Sequence, residues 1–169
     1  EEMSSFFYKI FPDQVESGAN KPNSFNWILG RTMDSSGVAA PREIIHFLNC
    51  LRDEQVSRVE GGVGKIPEGK LFEQSTFKAA LPEVSKVRLE QTLYAEYPQH
   101  KPFIEKMKEQ KGVQSLPSLQ MIWGLADDEC IAKLDQLEKV GFFKKQKDGT
   151  WRIPFLYWPA LNIVQGTSD

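Results

Sequence analysis

Cysteine and histidine are scarce in this chain of 169 residues, with two of each: Cys50, Cys130, His46 and His100. The cysteines lie far apart with no Cys-x-x-Cys, so they read as reduced core thiols, a usage that suits a cytoplasmic protein. Those four residues, at that spacing, do not complete a zinc site. No Ser/His/Asp or Cys/His motif supports nucleophilic catalysis, and no catalytic or metal-ligating residue is assigned. No apolar run approaches the roughly 18 residues of a membrane span, and no signal-peptide pattern opens the chain, so no membrane partner is expected. Net charge is only −2, which leaves no global electrostatic case for nucleic acid. The chain starts at Glu1 rather than Met, and the expectation is a piece of a longer protein.

What is present concentrates in the last third. Residues 118–123 form an apolar helix candidate, and Gly124-Leu125-Ala126 makes a turn. Asp127 is a good N-cap for the next helix, which carries Ile131, Leu134, Leu137 and Val140 at spacings of three and stops at Gly141. Strand candidates follow at 142–147 and 150–154, joined at Asp148-Gly149, a strong short-range hairpin signal. A further helix expected at 100–111 would precede them. Helix, helix, hairpin in that order predicts a winged helix-turn-helix with a small β-hairpin wing.

Its charge is divided. The second helix of such a unit would enter a major groove. Here it carries Asp127, Asp128, Glu129, Asp135 and Glu138 against Lys133 and Lys139, net −3, a poor surface for phosphates. The acids at its start have a structural role of their own, since negative charge there complements the helix dipole. Three adjacent acids on a helix do not converge on a metal. The wing is basic, with Lys144, Lys145, Lys147 and Arg152 against Asp148, net +3. Those four are the candidate DNA-backbone contacts; the competing reading is a solvated hairpin rim or a lysine-rich guard against edge pairing. Trp151 and Phe143 belong at the buried base of the wing, and residues 155–161 are apolar enough to pack back on the domain.

Upstream, Phe6 to Phe11 is an aromatic cluster closed by Pro12, and residues 13–23 are a polar loop. Ser24 is placed to cap a helix whose face is Phe25, Ile28, Leu29 and Thr32 or Met33. Pro41 opens a second helix, with Ile44, Ile45, Phe47, Leu48 and Leu51 as a broad apolar stripe running to about Val59. Residues 61–69 are glycine-rich and read as a linker. They are not a P-loop: that motif needs Gly-x4-Gly-Lys-Ser/Thr, whereas Lys65 is followed by Ile66 and Val59 stands at the first glycine position. Residues 75–81 are expected to be a short helix stopped by Pro82, followed by a longer one over 84–97.

Gly37-Val38-Ala39-Ala40-Pro41-Arg42-Glu43-Ile44-Ile45 resembles the Pro-Arg helix start in the lid of AAA+ and STAND-type P-loop ATPases. The segment Phe77-Lys78-Ala79-Ala80-Leu81-Pro82-Glu83-Val84-Ser85 and the ending Arg152-Ile153-Pro154-Phe155-Leu156-Tyr157-Trp158-Pro159-Ala160-Leu161 are similar to the C-terminal half of bacterial ATPases of that class. The resemblance covers almost the whole chain. It implies a helical lid-like module at 1–60, the linker at 61–69, and a helical connector with the winged helix at 70–169. It implies a nucleotide-sensing role for Arg42 beside an ATPase core, because a guanidinium stabilises charge on a transferring phosphate. With neither Walker A nor Walker B, the chain needs no cofactor of its own, and ATP with magnesium would belong to the full-length protein. The expected function is therefore non-catalytic. It is a regulatory and recognition domain of a bacterial P-loop ATPase whose partners are that core, double-stranded DNA through the wing, or another protein through an interaction or autoinhibitory surface.

Overall fold

A computed structural model describes residues 2–168, with side chains from Phe6 onward. The protein is mainly helical with one small mixed sheet. It divides into two compact units, Glu1–Thr32 with Ala40–Val84, and Met33–Ala39 with Ser85–Asp169. The glycine-rich residues 61–69 thus lie within the first unit, and the division falls elsewhere than the sequence-based boundary.

The first unit contains α1 (Glu2–Ile10), α2 (Ser24–Thr32), α3 (Pro41–Glu60) and most of α4 (Gln74–Val87). Its core is aromatic: Trp27, Phe47 and Phe77 meet at centroid distances of 5.9–6.2 Å, and Phe11 reaches Phe77 at 6.3 Å. Along α3 the fully covered side chains are Glu43, Phe47, Leu51 and Gln55, a four-residue repeat that lies along one face. The stripe is narrower than expected, and Ile45 stands in solvent. On α2 the buried face is Trp27 and Ile28, with Phe25 outside. Ser24 does not cap α2: Asn23 does, its Oδ1 accepting from Asn26 N–H at 2.8 Å, while the Ser24 hydroxyl turns to the Pro12 carbonyl. Residues 61–69 are anchored at Lys65, whose N–H donates to Glu73 Oε1 at 3.0 Å and whose carbonyl accepts from Gln55 Nε2 at 3.2 Å.

Pro82 does not stop a helix. It lies inside α4, which then passes into a seven-residue π-helical stretch, Arg88–Tyr94. The cost of an interior proline, about 3 kcal/mol, is offset by burial on both sides of it, of Phe77 and Ala80 before and Val84 and Leu89 after.

The second unit continues with a 3-10 turn, Pro98–His100, α5 (Lys101–Glu105), β1 (Lys111–Gln114), α6 (Leu116–Trp123) and α7 (Asp127–Lys139). Then come β2 (Lys144–Lys145), β3 (Trp151–Arg152), a 3-10 turn at Phe155–Tyr157, α8 (Trp158–Leu161) and β4 (Val164–Thr167). The helix expected at 100–111 is thus only the short α5, and the chain turns at Glu109, where φ is +63°, into a strand that the sequence did not announce. The sheet order is β2-β3-β1-β4. β3 pairs antiparallel with both neighbours, placing Arg152 opposite Lys144 and Val113, and Trp151 opposite Lys145 and Gln114. β4 runs parallel to β1 along its other edge. The core beneath includes Leu119, Trp123, Leu134, Leu137, Phe142, Phe143, Trp151 and Tyr157. Residues 155–161 pack back as expected, burying Leu156, Tyr157 and Leu161.

Candidate recognition surface

α6 and α7 are joined by a tight turn whose chemistry is local. Ser115 caps α6, its hydroxyl accepting from Ser118 N–H at 3.3 Å, and Gly124 closes it in the left-handed conformation at φ +70°. The N-cap of α7 is Ala126, which has no side-chain cap bond; Asp127, expected there, is the first helical residue and its carboxylate accepts from Gln120 Nε2. Asp127, Asp128 and Glu129 fill the first turn, where the helix dipole favours acids. Cys130, Leu134 and Leu137 face the core. The exposed side is therefore Asp127, Asp128, Glu129, Ile131, Asp135 and Gln136, with Lys139 in the last turn. Ile131 is 43% exposed, and Met121 on α6 is 86% exposed, the largest exposure among the large apolar side chains described.

The hairpin forms where expected, with shorter strands. Gln146 N–H donates to the Thr150 carbonyl at 2.8 Å and Gly149 N–H to the Gln146 carbonyl at 3.2 Å, so the loop is three residues long. Gly149 takes φ +83°, the left-handed position such a loop requires. Asp148 Oδ1 accepts from the Thr150 hydroxyl at 2.7 Å and its N–H at 3.0 Å, and these bonds hold the Asp148 carboxyl below its usual range.

Lys144, Lys145, Lys147 and Arg152 are all exposed, yet they do not share one task. Lys144 and Arg152 stand opposite each other across β2 and β3, a like-charge pair on one side of the ribbon. Lys145 is opposite Trp151, which is buried, and its ammonium lies 5.4 Å from the indole centroid. That cation–π contact spends Lys145 on covering the base of the hairpin. Lys147 is at the loop. Trp151 and Phe143 occupy the buried base, as expected, and offer no stacking face to a nucleotide.

Arg42 is in the first turn of α3, 69% exposed, with Nη2 3.4 Å from the buried carboxylate of Glu43. Among the described residues no group of three or more His, Cys, Asp or Glu converges as a metal site, and no helix is long and apolar enough to cross a membrane. Both cysteines are free thiols whose pKa is raised, chiefly by burial, so neither is poised as a nucleophile. ATP and magnesium, implied by the ATPase resemblance, do not fit these residues as a site: the loop at 59–66 lacks the hydroxyl residue after Lys65 that a P-loop needs. Comparison of the chain with protein-family models, curated proteins and solved structures finds no match.

Proposed function

We propose that the second unit is a winged helix acting as a protein-recognition module, with α7 as its presenting helix and no base-reading role. Three features support the winged-helix reading. The elements run helix, β1, α6, α7, β2, β3, and the ribbon returns beside β1 so that β3 lies between β2 and β1. A tight turn closed by Gly124 joins the two helices.

The exposed face of α7 carries the functional part of the reading. Four carboxylates, at 127, 128, 129 and 135, and Ile131 are exposed on it. Such a helix repels a phosphate backbone carrying a charge every 1.7 Å or so. It suits a partner with basic residues around an apolar contact, since complementary potentials select partners and exclude like-charged ones. The resemblance to P-loop ATPases makes an ATPase core of that class the first partner to try, with Arg42 as the residue nearest the nucleotide in that setting.

A fluorescent duplex titrated with the chain at about 50 and 200 mM salt tests this reading. The expected result is no salt-sensitive binding, and no change when Lys144, Lys145, Lys147 and Arg152 are all replaced by glutamate. Binding at low salt that collapses at high salt, and is lost on that reversal, would overturn it in favour of DNA contact through the wing. Against an ATPase core of the same class, Asp128→Lys with Asp135→Lys should weaken association at least tenfold.

A further inference from the structure

The second unit also holds a small polar cavity of about 140 Å³ that shares only Lys139 with the exposed side of α7. Asp34, Ser36, Arg88, Glu96, Tyr97 and Lys139 are among the residues that line it. Every one of these residues belongs to the same unit.

The Asp34 wall is built and held. Asp34 Oδ1 accepts from Ser36 N–H at 2.9 Å and from the Ser36 hydroxyl at 2.5 Å, and Oδ2 lies 3.3 Å from Arg88 Nη2. The next residue fastens this segment to the end of α7: Ser35 N–H donates to the Gly141 carbonyl at 3.0 Å and its hydroxyl to the Glu138 carbonyl at 3.3 Å. Gly141 takes φ +86°, and a Cβ there would sit 2.9 Å from Asp34 Oδ2. Only glycine permits both the turn and the close approach. Arg88 opens the π-helical stretch, a rare backbone form that recurs at functional sites.

Two charges in the lining are left over. Glu96 and Lys139 are exposed, opposite in sign, and make no ion pair among the described residues. We infer that this cavity binds a small zwitterion of the α-amino-acid class, its ammonium group on Glu96 and its carboxylate on Lys139. The charge pattern selects this class. A simple anion such as phosphate would face Asp34 and Glu96, and a metal cation would face Arg88 and Lys139; a molecule carrying both signs answers both. Size agrees: at about 140 Å³ the cavity is well below a drug-sized site.

Calorimetric titration of the whole chain with the common amino acids, each taken to about 10 mM, reaches dissociation constants near 1 mM. At least one should bind saturably. Glu96→Gln and Lys139→Gln, both at exposed positions, should each weaken that binding at least tenfold. The N-acetylated and the amidated forms of the same amino acid should bind no better than the variants do. Saturation by none of the amino acids would overturn the inference. So would binding that both variants retain, or inorganic phosphate binding as tightly as the amino acid and surviving Glu96→Gln. Lys139 closes the last turn of α7, but the recognition reading rests on Asp127, Asp128, Glu129 and Asp135, which these variants leave in place, so failure here leaves that reading standing.

Discussion

Replacing Gly112 with alanine should destabilise the second unit by about 2 kcal/mol, through one contact that can be isolated. A Cβ on Gly112 would lie 2.3 Å from Cζ2 of Trp158, 2.9 Å from Cη2 and 3.0 Å from Cε2. The indole has no easy retreat. Its Nε1–H donates to the Ile153 carbonyl at 2.8 Å, and its ring lies against Phe155 at a centroid distance of 4.6 Å. The backbone of Gly112 is held as well, its carbonyl accepting from Ile153 N–H at 2.9 Å. Gly112 is not among the positive-φ residues, so the cost is steric rather than conformational. Overpacking costs about 1–3 kcal/mol, and a pinned ring places this site at the upper end. The loss of about 0.4–1 kcal/mol of unfolded-state freedom acts in the opposite direction. Urea unfolding followed by circular dichroism reads the difference. In a Trp158→Leu background, where the clashing atoms are gone, the same substitution should cost under about 0.5 kcal/mol. That coupling is of the size seen between residues in contact. An equal cost in both backgrounds would refute the reasoning.

Three further expectations rest on single sites. Lys78 at 2.7 Å and Lys21 at 3.1 Å from Glu16 hold its carboxyl down to about 2, below the ordinary 4.5. Because the folded value is the lower one, the contribution is full above about pH 4.5 and is lost as pH falls toward 2. A carboxyl titration by NMR should show it, and Lys78→Ala should move Glu16 back up; an unmoved value would sink the assignment. His100 is buried with no partner at Nδ1, and burial first, then Lys133, lowers its pKa below 6.5. Its neutral form is favoured by folding, so stability is full above about pH 6.5 and falls as pH drops through the lowered value. The urea midpoint should therefore decline on acidification below that point, and His100→Gln should flatten the decline while leaving the Glu16 window untouched. Ser115→Ala removes the α6 cap and should cost about 0.5–2 kcal/mol in the same unfolding assay, with glycine at that position costing only a few tenths; equal losses for both would argue against a capping role.

Much of the second unit was legible because its signals are local. Gly124, Gly141 and Gly149 all adopt left-handed φ, and Asp148-Gly149 set the hairpin, so sequence alone located both helix ends and the hairpin. β1 and β4 left no such trace. Lys111-Gly112-Val113-Gln114 has one apolar residue with a side chain, and its strand state depends on partners about forty to fifty positions away, Arg152 and Val164 among them. Capping was misread at Ser24 and Asp127 for a shared reason. Each lies one residue inside its helix, where a better-placed Asn23 or the extended backbone of Ala126 starts the turn. Pro82 misled because a local rule was outweighed by tertiary burial around it. The cavity was not legible at all: it assembles residues 34–36, 88–97 and 139–141, none of which forms a motif in its own segment.

The β2–β3 hairpin shows how a charge run in sequence and a charged surface differ. Along the chain, Lys144, Lys145, Lys147 and Arg152 sum to a basic patch. In a ribbon, successive side chains alternate between faces, so pairing sorts the same residues by parity. Lys144 meets Arg152, while Lys145 meets buried Trp151 and lies against its ring. A backbone-binding wing gains from charges free to approach phosphate, and here one is engaged with an aromatic face and two repel each other across the strand pair. On α7 the opposite holds. Its four carboxylates at 127, 128, 129 and 135 are all left exposed once Cys130, Leu134 and Leu137 are committed to the core. That difference between the hairpin and α7 is what the proposed protein-recognition reading rests on.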